Sequence, residues 1–300
     1  MCAAGSTRPC VSSPSISETA SYSTPCRTHD AVIMVMGGIG DGLDALRAEL
    51  SLAEVMRLIE GTARWVDPAT FRLLPVWYPE HSRRGLFYKA DWSAPQMNRN
   101  RQTGLEVHKS EGNNYAAKAL TQALGLRGRN RPNWSCCHIW GVDDATYAST
   151  NVIVQDPRYY SCVANMVLLP SPLKAFTDVM PEVKVMLRAC ATNMYGWRCD
   201  HRALSSIDLQ RPVEDEAYPA SWPRNAKGPP PAGVVPLTAT IERDALKRLD
   251  AIRRDLESAG PHYPRQQVQD VLKHWNISIP KASDRFGNRR MPRSHEWAGA

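Results

Sequence analysis

Asn133-Trp-Ser-Cys-Cys-His138-Ile-Trp-Gly141 and Tyr159-Tyr-Ser-Cys-Val-Ala-Asn165-Met-Val-Leu-Leu-Pro170 are two largely apolar segments, and Leu173-Lys174-Ala-Phe-Thr177-Asp178 follows the second directly. Taken singly, a histidine in an apolar segment is most often a hydrogen-bonded core residue. An asparagine ahead of a hydrophobic strand is often only a turn residue. Their succession directly behind the compact positive loop Arg127-Gly128-Arg129-Asn130-Arg131 changes that expectation.

Outward from this centre the chain reads mainly as helices. Upstream, Asn113 to Leu124 places Tyr115, Ala119, Leu120, Ala123 and Leu124 on one helical face, with Gly125 as C-cap. Ser51-Leu52-Ala53-Glu54 has the capping-box form, and Leu52, Val55, Met56 and Ile59 repeat at helical spacing up to Gly61. Between them, Phe71 to Trp92 is aromatic and interrupted by Pro75 and Pro79, which predicts short strands and loops. Arg83, Arg84, Lys89, Arg99 and Arg101 are interleaved with those aromatics, as a surface that meets nucleic-acid backbone requires, although a solvated basic face reads the same way.

Downstream, Pro181 opens a helix with Val183, Met186, Leu187, Cys190 and Met194 on one face, closed by Gly196. Residues 209 to 236 hold seven prolines and read as a linker or a long surface excursion. Ile241, Ala245, Leu249, Ile252 and Leu256 then form a helical stripe ended by Gly260-Pro261, and Pro264 to Trp275 reads as a shorter helix. The expected organisation is a leader over 1–36 rich in Ser, Thr and Pro, a helical and aromatic DNA-contacting region over 37–132, a core over 133–208, the linker over 209–236, helices over 237–280 and a basic tail over 281–300. Met34 or Met36 is an alternative start.

The 300 residues carry 37 Lys and Arg against 30 Asp and Glu, a net charge of +7 that favours polyanionic partners without demanding them. A hydrophobic content of 43% with nine tryptophans is enough for a real core and excludes a disordered chain. The longest apolar run, Ala31 to Met36, is far short of the roughly 20 residues of a membrane helix, and no basic n-region precedes it, so a cytoplasmic location without membrane contact is expected. The eight cysteines have no framework spacing and read as reduced thiols. Gly37 to Gly42 satisfies neither the dinucleotide nor the Walker pattern, since Leu43 stands where the third glycine belongs and no lysine follows.

Residues 133 to 180 resemble the HNH (ββα-metal) endonucleases, in which His-Ile ends a first strand, Asn-hydrophobic-hydrophobic-x-Leu ends a second, and a helix follows. His138-Ile139 and Asn165-Met-Val-Leu-Leu carry the resemblance, and the 27 positions from His138 to Asn165 leave room for a loop and the second strand. The resemblance implies an α+β fold with a ββα-metal core flanked by helices, and metal-dependent hydrolysis of DNA phosphodiester bonds in a restriction or defence setting. It makes His138 the general base and Asn165 either its orienting partner or a metal ligand. The family's metal ligands commonly include the residue before the histidine and residues about nine and thirteen positions after the asparagine, places that hold Cys137, Lys174 and Asp178 here. Lys174 departs from that pattern, because a protonated lysine binds no cation; it would contact the scissile phosphate instead. Cysteine and aspartate suit zinc better than magnesium or manganese, so the divalent metal stays open among the three. Asp143, Asp144 and Asp156 are substitute ligands. Arg127, Arg129, Arg131, Arg99 and Arg101 would hold the DNA. A homodimer is compatible, since two-fold symmetric sites are usually cut by dimers.

The rival reading is a non-catalytic nucleic-acid-binding protein stabilised by zinc at Cys136, Cys137, Cys199 and His201. Cys199-Asp200-His201 puts two ligand types close together, though not at the spacing of a zinc knuckle.

Overall fold

The computed structural model describes residues 40–126, 131–141, 151–204, 216–225 and 227–279. In chain order the elements are α1 (Gly42–Glu49), α2 (Leu52–Thr62), β1 (Trp65–Val66), α3 (Pro68–Leu73), β2 (Met97–Arg99), β3 (Glu106–His108), α4 (Asn114–Ala123), β4 (Trp134–His138), α5 (Pro157–Tyr160), β5 (Met166–Pro170), α6 (Ser171–Val179), α7 (Pro181–Tyr195), β6 (Val234–Val235), α8 (Ala239–Ser258) and α9 (Arg265–His274). This mixture of helices with short, mostly antiparallel strands is of the α+β kind.

The central pair is β4 and β5, antiparallel, with Trp134 opposite Pro170 and His138 opposite Met166. Met166, Val167, Leu168 and Leu169 are all buried, which explains why β5 reads as an unbroken apolar run rather than an alternating one. Pro170 ends the ladder because it has no N–H to give, and Pro172 in the next turn suits the start of α6. Helix α5 lies between β4 and β5 in the chain, and β5 runs directly into α6.

On its other side β5 is bridged by Arg64, whose N–H bonds to the Leu168 carbonyl at 2.9 Å and whose carbonyl accepts the Leu168 N–H at 3.1 Å. The chain continues into β1, which runs parallel to β6. A Cβ on Gly233, just before β6, would stand 1.9 Å from the Ala63 carbonyl oxygen, so only glycine permits that approach. Around this small sheet lies one hydrophobic cluster with Trp65, Trp77, Tyr159, Tyr160 and Ile139 fully buried. Burying each such side chain contributes on the order of 1.5–3 kcal/mol.

The helices form where their signals stand. Ser51 and Glu54 make both halves of the capping box on α2. Gly125 and Gly196, with φ of 63° and 62°, take the left-handed conformations that follow α4 and α7. α8 buries Ile241, Ala245, Leu249 and Ile252, and a second cluster of Trp92, Ile252, Tyr263, Val268 and Leu272 joins it to α9.

Two stretches differ from expectation. Phe71 lies in helix α3, begun by Asp67 as cap and Pro68, so the aromatic stretch opens helical and only then turns to loops and isolated bridges. The described part of 209–236 does not behave as a free spacer: Tyr218 and Trp222 are buried in the core, and Val234 and Val235 pair with β1. Prolines there break regular structure while the aromatics between them still seek the core. Among the described residues no helix is long and apolar enough to cross a membrane. The leader over 1–36, the glycine-rich stretch as far as residue 39, and the tail over 281–300 lie outside the described residues.

Candidate active site

His138 is the last residue of β4, and its side chain is half-buried beneath the turn that precedes β5. Its Nε2 lies 2.8 Å from the Tyr160 carbonyl oxygen. A carbonyl only accepts, so Nε2 carries the proton and Nδ1 is the basic nitrogen. Burial pushes the imidazole down to about 4; the Tyr160 carbonyl works against that shift, while the positive fields of Arg83 and Lys184 add to it. The ring is thus neutral at pH 7, the state a general base needs, and an anion docking beside the two cations would raise its basicity.

Tyr160 ties this imidazole to a second buried group. Its ring stacks on His138 at 5.9 Å between centroids, and its hydroxyl donates to Glu111 Oε1 at 2.7 Å. Glu111 is 3% exposed and also accepts the backbone N–H groups of Asn114 and Tyr115 at the start of α4. No signal in the sequence announces this chain of contacts, because the atom that meets His138 is a main-chain oxygen 22 residues away.

Asn165 is fully buried and both ends of its amide are engaged. Oδ1 accepts the Trp140 N–H at 2.8 Å, and Nδ2 donates to the Tyr159 carbonyl at 3.0 Å. It clamps the exit of β4 to the turn whose next carbonyl receives His138, which makes it a positioning residue in this arrangement. From α7, buried Arg188 grips the same exit, donating from Nε to the Ile139 carbonyl at 2.8 Å and from Nη2 to the Gly141 carbonyl at 2.9 Å.

Cys137 is buried, its thiol 3.7 Å from the Ser135 carbonyl and pushed up to about 12 by burial, with Lys174 opposing and Asp178 adding to the shift. Cys137, Lys174 and Asp178 are therefore neighbours. Lys174 and Asp178 form an i,i+4 ion pair on α6. As ligands for a cation this set fits poorly as it stands: Asn165 Oδ1 is taken by a backbone donor, Asp178 is paired with an ammonium, and the Cys137 thiol holds its proton. Among the described residues no three His, Cys, Asp or Glu side chains group as a metal site, the four of the zinc alternative included. Cys136 instead packs its sulfur 3.4 Å from that of Met166, and His201 Nε2 faces Asp156 at 3.8 Å. Asp156 also caps α5 and pairs with Arg158. Asp143 and Asp144 lie outside the described residues, as do Arg127 and Arg129.

Of the other expected DNA contacts, Arg131 donates to the Ala117 carbonyl of α4 at 3.3 Å. Arg99 lies on the exposed β2–β3 hairpin and closes its turn on the Gly104 carbonyl at 2.9 Å, and Arg101 is exposed in that turn. Two further cations bear on His138 through their charge, Arg83, one of the basic residues interleaved with the aromatics, and Lys184 on α7. Arg83 is exposed. No protein-family model, no curated protein and no solved structure matches the chain.

Proposed function

We propose that the chain is an endonuclease that hydrolyses DNA phosphodiester bonds, with His138 as general base. The observation that carries this reading is a neutral imidazole at the end of β4, its proton committed to the Tyr160 carbonyl, with Arg83 and Lys184 bearing on the same ring. A phosphodiester placed against those cations would present its phosphorus to a water held by Nδ1. The imidazole would take the proton from that water as the new P–O bond forms, while the P–O bond to the leaving sugar oxygen breaks and that oxygen takes a proton from solvent, giving a phosphomonoester end and a free hydroxyl. Asn165 keeps the Tyr159–Tyr160 turn in place, and through it the tautomer of His138. In this reading Lys174, on α6 beside Cys137, would contact a phosphate oxygen once released from Asp178.

The reading carries with it a divalent cation, magnesium, manganese or zinc, and, as open companions, a homodimer and a cytoplasmic setting. No catalytic step is assigned to the cation, since the donors around His138 do not form its site. The test is incubation of supercoiled plasmid with the protein and a panel of magnesium, manganese, nickel and zinc, comparing wild type with His138→Ala. Cleavage that needs one of these metals and is lost in the variant, with DNA affinity retained, supports the reading. Unchanged turnover in His138→Ala removes the histidine from the mechanism. Stoichiometric zinc without nicking would favour the zinc-stabilised binding protein instead.

A further inference from the structure

From Met97 to Ser110 every residue is exposed: β2 and β3 pair with Met97 opposite His108 and Arg99 opposite Glu106, and this ribbon buries neither face. Its stem is nevertheless held. Phe87 ties in both strands, donating its N–H to the Lys109 carbonyl at 2.9 Å and accepting that of Gln96 at 2.7 Å. The turn is fixed as well. Asn100 Oδ1 accepts the Gln102 and Thr103 N–H groups at 2.9 and 3.2 Å, the Asn100 carbonyl accepts the Gly104 N–H at 2.8 Å, and Arg99 Nε closes on the Gly104 carbonyl at 2.9 Å. A hairpin that buries no face adds nothing to the core, and its preset shape is open to a partner.

Charge points to that partner. Arg83, Arg84, Arg99, Arg101 and Lys109 run along the stem and hairpin, all exposed, and none is in an ion pair among the described residues. Arg47, Arg158, Lys174 and Arg253, by contrast, each meet a carboxylate of this chain. Cations left unneutralised on a projecting element are the arrangement that meets phosphates. Shape narrows the choice. From the level of Gln96 and Lys109 to that of Asn100 and Leu105 the ribbon rises about 14 Å at the usual strand spacing. That exceeds the roughly 8.5 Å depth of the B-form major groove, whose width of roughly 12 Å admits a two-stranded ribbon. The deep, narrow major groove of an A-form duplex does not, which favours DNA over double-stranded RNA. At the tip, the side chains of Arg101 and Gln102 are exposed and make no hydrogen bond among the described residues, so both are free to reach base edges.

We propose that the β2–β3 hairpin enters the major groove of duplex DNA, with Arg101 and Gln102 at base edges, Lys109 on a backbone phosphate and Arg99 holding the turn. An arginine fork matches guanine O6 and N7, and a glutamine amide matches adenine N6 and N7. The stem strands run back to Arg83, whose charge bears on His138, and to Glu111, which receives the Tyr160 hydroxyl. The proposal rests on DNA as the partner named above, but not on hydrolysis by His138.

The test measures binding of the full chain to a short fluorescent duplex of mixed sequence over a range of salt. The pair Arg101→Ala with Gln102→Ala, both at exposed turn positions, should weaken binding tenfold or more without moving the unfolding midpoint. Lys109→Gln should flatten the slope of log K against log salt by about one. Methylation of guanine N7, which obstructs the major groove alone, should weaken wild-type binding tenfold or more, and a ligand filling the minor groove should not. His138→Ala should leave each of these values unchanged. Duplex binding indifferent to both the tip pair and guanine methylation would overturn the proposal, as would equal affinity for single-stranded DNA. So would a tip pair that alters self-association of the chain and not DNA binding, since a second copy would then be the occupant of the ribbon. Tip-dependent duplex binding without plasmid cleavage would keep this proposal and remove the nuclease reading. Cleavage lost in His138→Ala but untouched by the tip pair, at unaltered affinity, would do the reverse.

Discussion

The surroundings of His138 and those of Glu80 are both buried and polar, but they are held by opposite means. At His138 most of the bonds that fix the site end on the main chain, the Tyr160 hydroxyl on Glu111 excepted: the imidazole on the Tyr160 carbonyl, the Asn165 amide on Trp140 and Tyr159, and Arg188 on Ile139 and Gly141. At Glu80 a carboxylate and a guanidinium come from segments 168 residues apart, and rings fill the space around them: Arg248 lies over Tyr78 at 4.5 Å. The first arrangement sets direction, because peptide groups have fixed orientations. The second sets charge balance and leaves one carboxylate oxygen over.

The comparison is broken most forcefully at Arg248. Arg248→Met keeps much of the side-chain volume but leaves Glu80 buried without its counter-charge, and removal of one partner of such a pair costs about 3–5 kcal/mol. Urea unfolding at pH 7 should show that loss as a lower midpoint with an unchanged slope. The double variant Arg248→Met with Glu80→Gln should recover part of it. Equal losses in single and double variants would mean that Arg248 matters through packing on Tyr78 rather than through charge.

Asn165→Ala should cost somewhat less, about 2–4 kcal/mol, because it strands the Trp140 N–H and the Tyr159 carbonyl in a dry interior. Any plasmid cleavage should fall further than stability explains, since the turn that carries the Tyr160 carbonyl is loosened. If cleavage follows the folded fraction alone, Asn165 is a structural clamp and nothing more.

Acid sharpens the contrast between the two histidines and the groups around them. His138 is held down to about 4 and His81 to about 3, both chiefly by burial, against an ordinary value near 6.5. Below 6.5 the unfolded chain binds protons that the folded chain refuses, so each histidine contributes stability that is present above pH 6.5 and lost as pH falls toward its folded value. The urea midpoint should therefore decline between pH 6.5 and 4, and His138→Gln should flatten part of that decline. A midpoint independent of pH across this window in both proteins would contradict the burial of these rings.

How far the sequence leads is visible in the same two places. Two strands and a helix in this region were legible only as what the resemblance to the HNH endonucleases implied; the apolar run Met166 to Leu169 and the two prolines account for β5 and the start of α6 once they are seen. α2, α4 and α7 were legible from a capping box and two glycines. Of the polar site, only His138 and Asn165 stood out, as polar residues in apolar company. Their partners did not, because carbonyl oxygens carry no sequence identity, and Glu111 looks like any surface glutamate until Tyr160 is brought onto it. Glu80 and Arg248 were illegible for a related reason: nothing local distinguishes a charge that will be buried from one that will face water. The proline-rich stretch misled because proline reports the absence of helix, not exposure, and Tyr218 and Trp222 were the residues to weigh against it.

The smallest expected effect falls on α6, where the two readings of Asp178 differ in what they move rather than in how much. Its carboxylate pairs with Lys174 one turn away, and the two side chains are 32% and 41% exposed. A pair so placed is screened by water and salt and contributes only about 0.3–0.5 kcal/mol. Asp178→Asn should thus lower stability by a few tenths of a kcal/mol in the absence of metal, near the limit of a urea titration, and the loss should fade as salt is raised. If Asp178 also serves a cation, it must leave Lys174 to do so, and the same variant should raise the metal concentration needed for half-maximal cleavage by tenfold or more while stability barely changes. Lys174→Met gives the opposite sign on that second axis: freeing Asp178 of its ammonium should lower the metal requirement even if the loss of a phosphate contact reduces the maximal rate. A metal titration indifferent to both variants would leave the pair as an exposed helix contact, and the search for ligands would pass to Asp143 and Asp144.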